Sequence, residues 1–199
     1  MGLFDKLFGR SPKAGSAQPP VTGFTASADL MNEDQFWHII HTTKNKAKDD
    51  YEQQQEELDK ELRKLAPDDV ILFDNRFRYF RGEANTWELW GAIYIINGGC
   101  SDDSFNDFRE WVIGQGKDFY YRTVNDPESL AEIDSDKIEE TDLEGLGYVA
   151  DTAFKELTGK EIPALYIEKT DTTGTEWEEE GDDLKKMFPK LSAKYPAHI

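Results

Sequence analysis

The sequence predicts an all-α fold, an irregular multi-helix bundle with a long N-terminal helix and a helix–GG turn–helix centre. Three observations predict it. Apolar residues recur at three- and four-residue steps through most of the chain, which places them on one helix face. Glycine and proline stand where those runs stop and start: Gly98 and Gly99, Gly116 and Gly159 close periodic stretches, and Pro67 heads another. Only Ile162 to Thr173 has some strand propensity, and nothing else in the sequence reads as its strand partner.

Residues 1–30 read as an amphipathic leader and a flexible linker. In MGLFDKLFGR, Leu3, Phe4, Leu7 and Phe8 share a helical face flanked by Lys6 and Arg10. Such a face suits weak docking to a membrane surface or a partner through residues 1–10, or packing on the chain's own domain. Ser11 to Asp29 is a tether by composition, with Pro12, Gly15, Pro19, Pro20 and Gly23 among small residues.

The helical domain spans 31–199. Asn32 with Gln35 three positions on forms a capping pair. Phe36, Ile40, Thr43, Ala47, Tyr51, Leu58, Leu62 and Leu65 then follow mostly heptad-like spacing, which predicts one helix from about Glu33 to Leu65. Its polar middle projects into solvent, and pairs such as Glu56–Lys60 and Glu57–Glu61 place attraction beside repulsion. His38 and His41 lie three apart on this helix, but two imidazoles do not complete a zinc site. Pro67 opens the next helix, with Asp68 and Asp69 at its positive end and Val70, Phe73, Phe77 and Phe80 as its buried stripe. Arg76, Arg78 and Arg81 on it point to pairing with nearby acids, or to a phosphate or carboxylate ligand.

The centre is Thr86 to Gly116, which holds three of the five tryptophans and the only cysteine. Trp87, Trp90, Ile93, Tyr94 and Asn97 mark an apolar stripe. Gly98 and Gly99 end that helix, because its cap needs a left-handed backbone. Ser101 or Asp102 caps the next helix, whose buried face is Phe105, Phe108, Val112 and Ile113. The start of that helix carries partial positive charge, so Cys100 beside it is a candidate nucleophile. Asp102 and Asp103 compete for the same N–H groups and disfavour a thiolate, which favours Cys100 as a small buried group and the acids as caps.

Beyond Gly116, KDFYYRTVN predicts a short helix stopped before Pro127. The acid-rich stretch to Glu144 predicts short helices and turns anchored by Leu130, Ile133, Ile138 and Leu143. Gly147 to Leu157 predicts a helix buried through Val149, Ala150, Ala153, Phe154 and Leu157. Gly174 to Asp183 reads as an acidic loop around Trp177, and a last helix, Leu184 to Phe188, ends at Pro189.

Four blocks carry a family resemblance: MNEDQFWHII, WELWGAIYIINGGCSDDSFNDFREWVIGQG, LGYVADTAFKELTG and LKKMFPKLSAKY. In this order, from Met31 to Tyr195, they resemble the bacterial DUF4240 family, whose function is unknown. The resemblance implies a bacterial, mostly helical domain, sometimes attached to other modules, and supplies no catalytic residues.

Composition narrows the functional classes. A formal net charge of -18 repels phosphate backbones and anionic headgroups, which argues against nucleic acid and for a basic protein partner. A single cysteine makes no internal disulfide, and with no signal pattern the expected compartment is the cytoplasm, with a peripheral membrane contact as the variant reading. GxSxG, GxxxxGK[ST], HExxH and CxxC motifs are absent from the sequence. The favoured reading is therefore an acidic binding module, possible in an immunity-like form that neutralises a basic protein, with no cofactor and no metal. Its candidate site is Trp87, Trp90, Asn97, Cys100, Ser101, Asp102, Asp103, Arg109 and Trp111. The alternative is a carboxylate- or metal-dependent enzyme at the Asn97–Asp103 turn, with Asp102, Asp103, Glu88 and Glu110 meeting in a cleft.

Overall fold

A computed structural model of the chain describes residues 23–134, 144–179 and 181–198. The leader, the tether up to residue 22, and Ile138 and Leu143 lie outside them. The described end of the tether is docked. Phe24 meets Phe154 edge-on at 5.0 Å, and Asn75 Nδ2 donates to the carbonyls of Ser27 and Asp29, each at 2.8 Å.

Asn32 caps α1 (Glu33–Ala47) by accepting from the N–H groups of Asp34 and Gln35. The expected single helix to Leu65 is two. Lys48 and Asp49 take left-handed backbones, at φ 55 and φ 66, and Asp50 caps α2 (Tyr51–Leu62) by accepting from Gln53 N–H. The reason is burial. Folded back on α1, α2 hides Tyr51, Leu58 and Leu62, which a continuous rod would leave in water. Apolar spacing is similar on both sides of the polar Lys48–Asp50 segment, so periodicity does not report the break.

Pro67 opens α3 (Pro67–Glu83), and its stripe meets α1 in an aromatic nexus. Phe36 lies 4.9 Å from Phe73, Trp37 4.6 Å from Phe80, and Phe80 5.0 Å from Tyr120. Tyr120, on α6 (Lys117–Asn125), donates its hydroxyl to Phe80 O at 2.7 Å, so its polar tip is satisfied inside the core. Each fully buried ring of this kind contributes about 1.5–3 kcal/mol.

Helices α4 (Trp87–Asn97) and α5 (Asp102–Gly114) follow, and Gly98, at φ 66, closes α4. The phase of α4 differs from the expected stripe. Leu89, Ala92, Ile93, Ile95 and Ile96 are buried, Trp87, Trp90 and Tyr94 are half-buried, and Asn97 is exposed. This helix is apolar nearly all round, so its sequence leaves open which side faces the interior.

Two 3-10 turns, Pro127–Glu132 and Leu146–Tyr148, lead to α7 (Val149–Thr158), which packs on α2 and α3 and is capped by Gly159 at φ 70. Residues 160–179 then run largely without helix, and there is no strand among the described residues. Two short helices, α8 (Asp183–Met187) and α9 (Pro189–Lys194), lie on α4. The expected stop before Pro189 holds, since α8 ends at Met187, but it is not the last helix: Pro189 opens α9, a position that tolerates proline because its missing N–H has no helical partner. No helix among the described residues is long and apolar enough to cross a membrane.

Candidate functional site

The segment 170–177 is strapped across the start of α4. Thr86 caps that helix by accepting from Leu89 N–H. Trp87 N–H donates to Thr173 O at 2.8 Å, and Thr173 N–H donates to Asn85 O at 3.1 Å. The buried Asn85 adds a side-chain bond to Thr170 O at 3.0 Å, and Glu88 Oε1 accepts from Thr175 N–H at 2.8 Å. Gly174 sits at φ 95, where a Cβ would collide with the Glu88 carboxylate. Gly91 gives α8 and the strap their close seat: a Cβ there would lie 2.7 Å from Leu184 Cδ2 and 2.9 Å from Trp177 Nε1.

Between strap, helix and glycine turn lies an open groove of about 460 Å³, lined by Trp87, Trp90, Cys100, Trp177, Glu178 and Glu179. Its rings are fixed. Trp90 Nε1 donates to Cys100 O at 2.9 Å, and Trp177 Nε1 donates to Trp87 O at 2.8 Å. Trp87 stacks on Trp90 with centroids 5.5 Å apart, Trp90 on Phe105 at 4.9 Å, and the Arg109 guanidinium lies 4.8 Å from the Phe105 centroid. Trp177 meets Trp87 edge-on at 6.0 Å and Tyr94 at 5.0 Å. Burial, and then the negative charge of Glu179, hold the Tyr94 hydroxyl above its ordinary range.

Cys100 is half-buried, and its thiol donates to Ser101 O at 3.5 Å. Burial pushes its pKa up to about 12, with Asp107 adding to the rise and Trp90 opposing it. A thiol so held stays protonated near neutrality and is a poor nucleophile.

Behind the ladder sits an ionic cluster in which Glu110 is buried and Arg81 and Glu168 are half-buried. Arg81 grips Glu168 through Nε at 2.8 Å and Nη2 at 2.5 Å, and meets Glu110 through Nη1 at 2.5 Å. Glu110 Oε2 also accepts from Gly147 N–H at 2.8 Å, where a Cβ would clash with it. Burial works against the charge of Arg81, but its bonds to Glu168 and the charge of Glu110 carry its pKa above the usual range. Arg109, which donates to Arg81 O at 2.9 Å, is lowered to about 10 by burial and by Arg81, against the pull of Glu168. The expected pairing of the α3 arginines with acids therefore holds for Arg81, and for Arg78 with Asp74 at 2.7 Å. Arg76 instead donates to Met31 O at 2.8 Å and lies over Tyr79.

Of the residues singled out from sequence, Trp87, Trp90 and Cys100 meet in the groove. Arg109 closes the inner end of the ladder. Asn97 is exposed at the end of α4, Ser101 caps α5 through Ser104 N–H, and Asp102 and Asp103 are exposed on its first turn. Trp111 is buried elsewhere, stacked on Phe108 at 5.6 Å. The four carboxylates weighed as a catalytic set are not brought together, because Glu88 holds the strap and Glu110 holds Arg81. His38 and His41 are exposed, and no group of three or more His, Cys, Asp or Glu among the described residues could hold a metal ion. Sequence reasoning missed Trp177, Glu178 and Glu179 as site residues. The signal present was a tryptophan inside an acidic loop, but its partners lie some ninety residues upstream.

A family model described as a protein of unknown function, DUF4240, matches residues 31–156. No curated protein and no solved structure matches the chain.

Proposed function

The chain belongs to the DUF4240 family, and on that premise we propose that it is an acidic interaction module that binds a basic protein through the tryptophan groove. One observation carries this reading. Three tryptophans and two exposed glutamates line one open groove, on a chain of formal net charge -18. Aromatic rings supply contact area at low conformational cost, and surface acids steer a basic partner and set its orientation. Neutralising a basic protein, an immunity-like role, is the concrete form we favour. The carboxylate- or metal-dependent alternative has less support, since its four acids are held apart.

The test uses the full chain as bait at low ionic strength. Basic proteins retained from host extract are identified, purified and titrated against the native chain and a Glu178→Lys/Glu179→Lys variant. The expected result is a basic partner whose affinity falls steeply with salt and at least about tenfold on charge reversal. Retention of no basic protein, or affinity indifferent to both salt and reversal, would overturn the reading.

A further inference from the structure

We infer that the groove receives the guanidinium of an arginine side chain from that basic partner, a deepening that rests on the binding reading above. Three observations lead there. First, the rings are set before any ligand arrives, since the Trp90 and Trp177 indole N–H groups are bonded to Cys100 O and Trp87 O. A ligand entering such a groove does not have to order it. Second, Glu178 and Glu179 are exposed at its rim, so an entering cation meets carboxylates beside the half-buried indoles of Trp87 and Trp90. Carboxylates favour cations, and ring faces attract them again through the quadrupole. Third, the chain already uses this chemistry on the same stack. The ladder Trp87, Trp90, Phe105 ends on the chain's own guanidinium, that of Arg109 over Phe105 at 4.8 Å. A planar guanidinium stacks on an indole and forks onto carboxylates at once, whereas an ammonium offers a compact, strongly hydrated charge.

The experiment titrates the full chain with Nα-acetyl-arginine methylamide, its lysine counterpart and the uncharged citrulline counterpart. The indole N–H signals of Trp87, Trp90 and Trp177 are followed by NMR, with the buried Trp37 and Trp111 as internal controls. The expected result is a saturable shift of the three groove indoles with the arginine probe, at roughly millimolar affinity. The lysine probe should bind at least about threefold more weakly, and citrulline should not bind. A Glu178→Gln/Glu179→Gln variant, altered only at exposed positions, should weaken the arginine probe about fivefold or more with an unchanged melting temperature. Groove indoles that stay still at saturating arginine, a lysine probe that binds as well, or a glutamine variant with full affinity would overturn the inference. A basic protein that binds with salt dependence while the groove stays silent would sink this inference and leave the proposed function standing. An arginine probe that seats normally while no basic protein is retained would sink the proposed function instead.

Discussion

Trp177 donates its indole N–H to the main-chain carbonyl of Trp87 at 2.8 Å, across ninety residues of sequence. That bond fastens the strap to the helix that carries the groove. Trp177→Phe keeps most of the ring and removes the donor, so a loss of about 1–2 kcal/mol is expected. A lowered melting temperature with retained helical circular dichroism checks it. An unchanged melting temperature would mean that the strap is held without it, by the main-chain bonds of Trp87 and Thr173 and the side chains of Asn85 and Glu88.

Gly91 permits that approach. Gly91→Ala gains about 1 kcal/mol of helix propensity. Its new methyl would meet Leu184 and Trp177 inside contact distance, and overpacking of this kind costs about 1–3 kcal/mol. Net destabilisation is expected in a denaturant melt. A stabilised variant would show that α8 and the strap yield freely.

Glu110 is the second fixed point, with 2% of its side chain exposed and Arg81 at 2.5 Å. Glu110→Ala leaves Arg81 one carboxylate short in a buried setting, with an expected cost of about 3–5 kcal/mol. Replacing both partners, as Arg81→Met with Glu110→Leu, should cost less than the two single changes summed, because no unmatched charge remains between the two sites. Chemical denaturation of the four-member cycle measures it, and simple additivity would contradict direct coupling.

Cys100 supplies the pH test. Burial raises its thiol pKa to about 12, so the protonated form is the one favoured in the folded chain. The sign is that of an acid whose folded pKa lies above its unfolded value, so rising pH through that interval favours unfolding. With its pKa so raised, the thiol is largely un-ionised at pH 8. Alkylation by iodoacetamide in the native state should therefore be slow at pH 8, climb with each added pH unit, and reach the free-thiol rate only on denaturation. A fast native rate at pH 7 would restore the helix-activated thiol.

Lys48 tests the break between α1 and α2. At φ 55 it adopts a backbone that costs a side-chain-bearing residue about 1–2 kcal/mol. Lys48→Gly is expected to stabilise the chain by about 0.5–1 kcal/mol once the added freedom of the unfolded glycine is counted. In an unbroken helix the same change would destabilise by about 1 kcal/mol. The sign of the shift in melting temperature decides between them.

Local information in the sequence determined the all-α class, the caps at Asn32 and Gly98, the start at Pro67, the stripe of α3 and the end of α7 at Gly159. Each depends on neighbours within one or two turns, and backbone sterics, capping and periodicity act over that range. Three things were decided only by tertiary structure. The fold-back at Lys48 follows from what α2 can bury against α1 and α7. The phase of α4 follows from which of its apolar sides the neighbours cover. The groove joins Trp87 and Trp90 to Trp177 and the acids beside it, and that meeting depends on the strap bonds of Asn85 and Glu88. Contacts across such separations leave no periodic trace, because their free energy exists only once the intervening helices have packed.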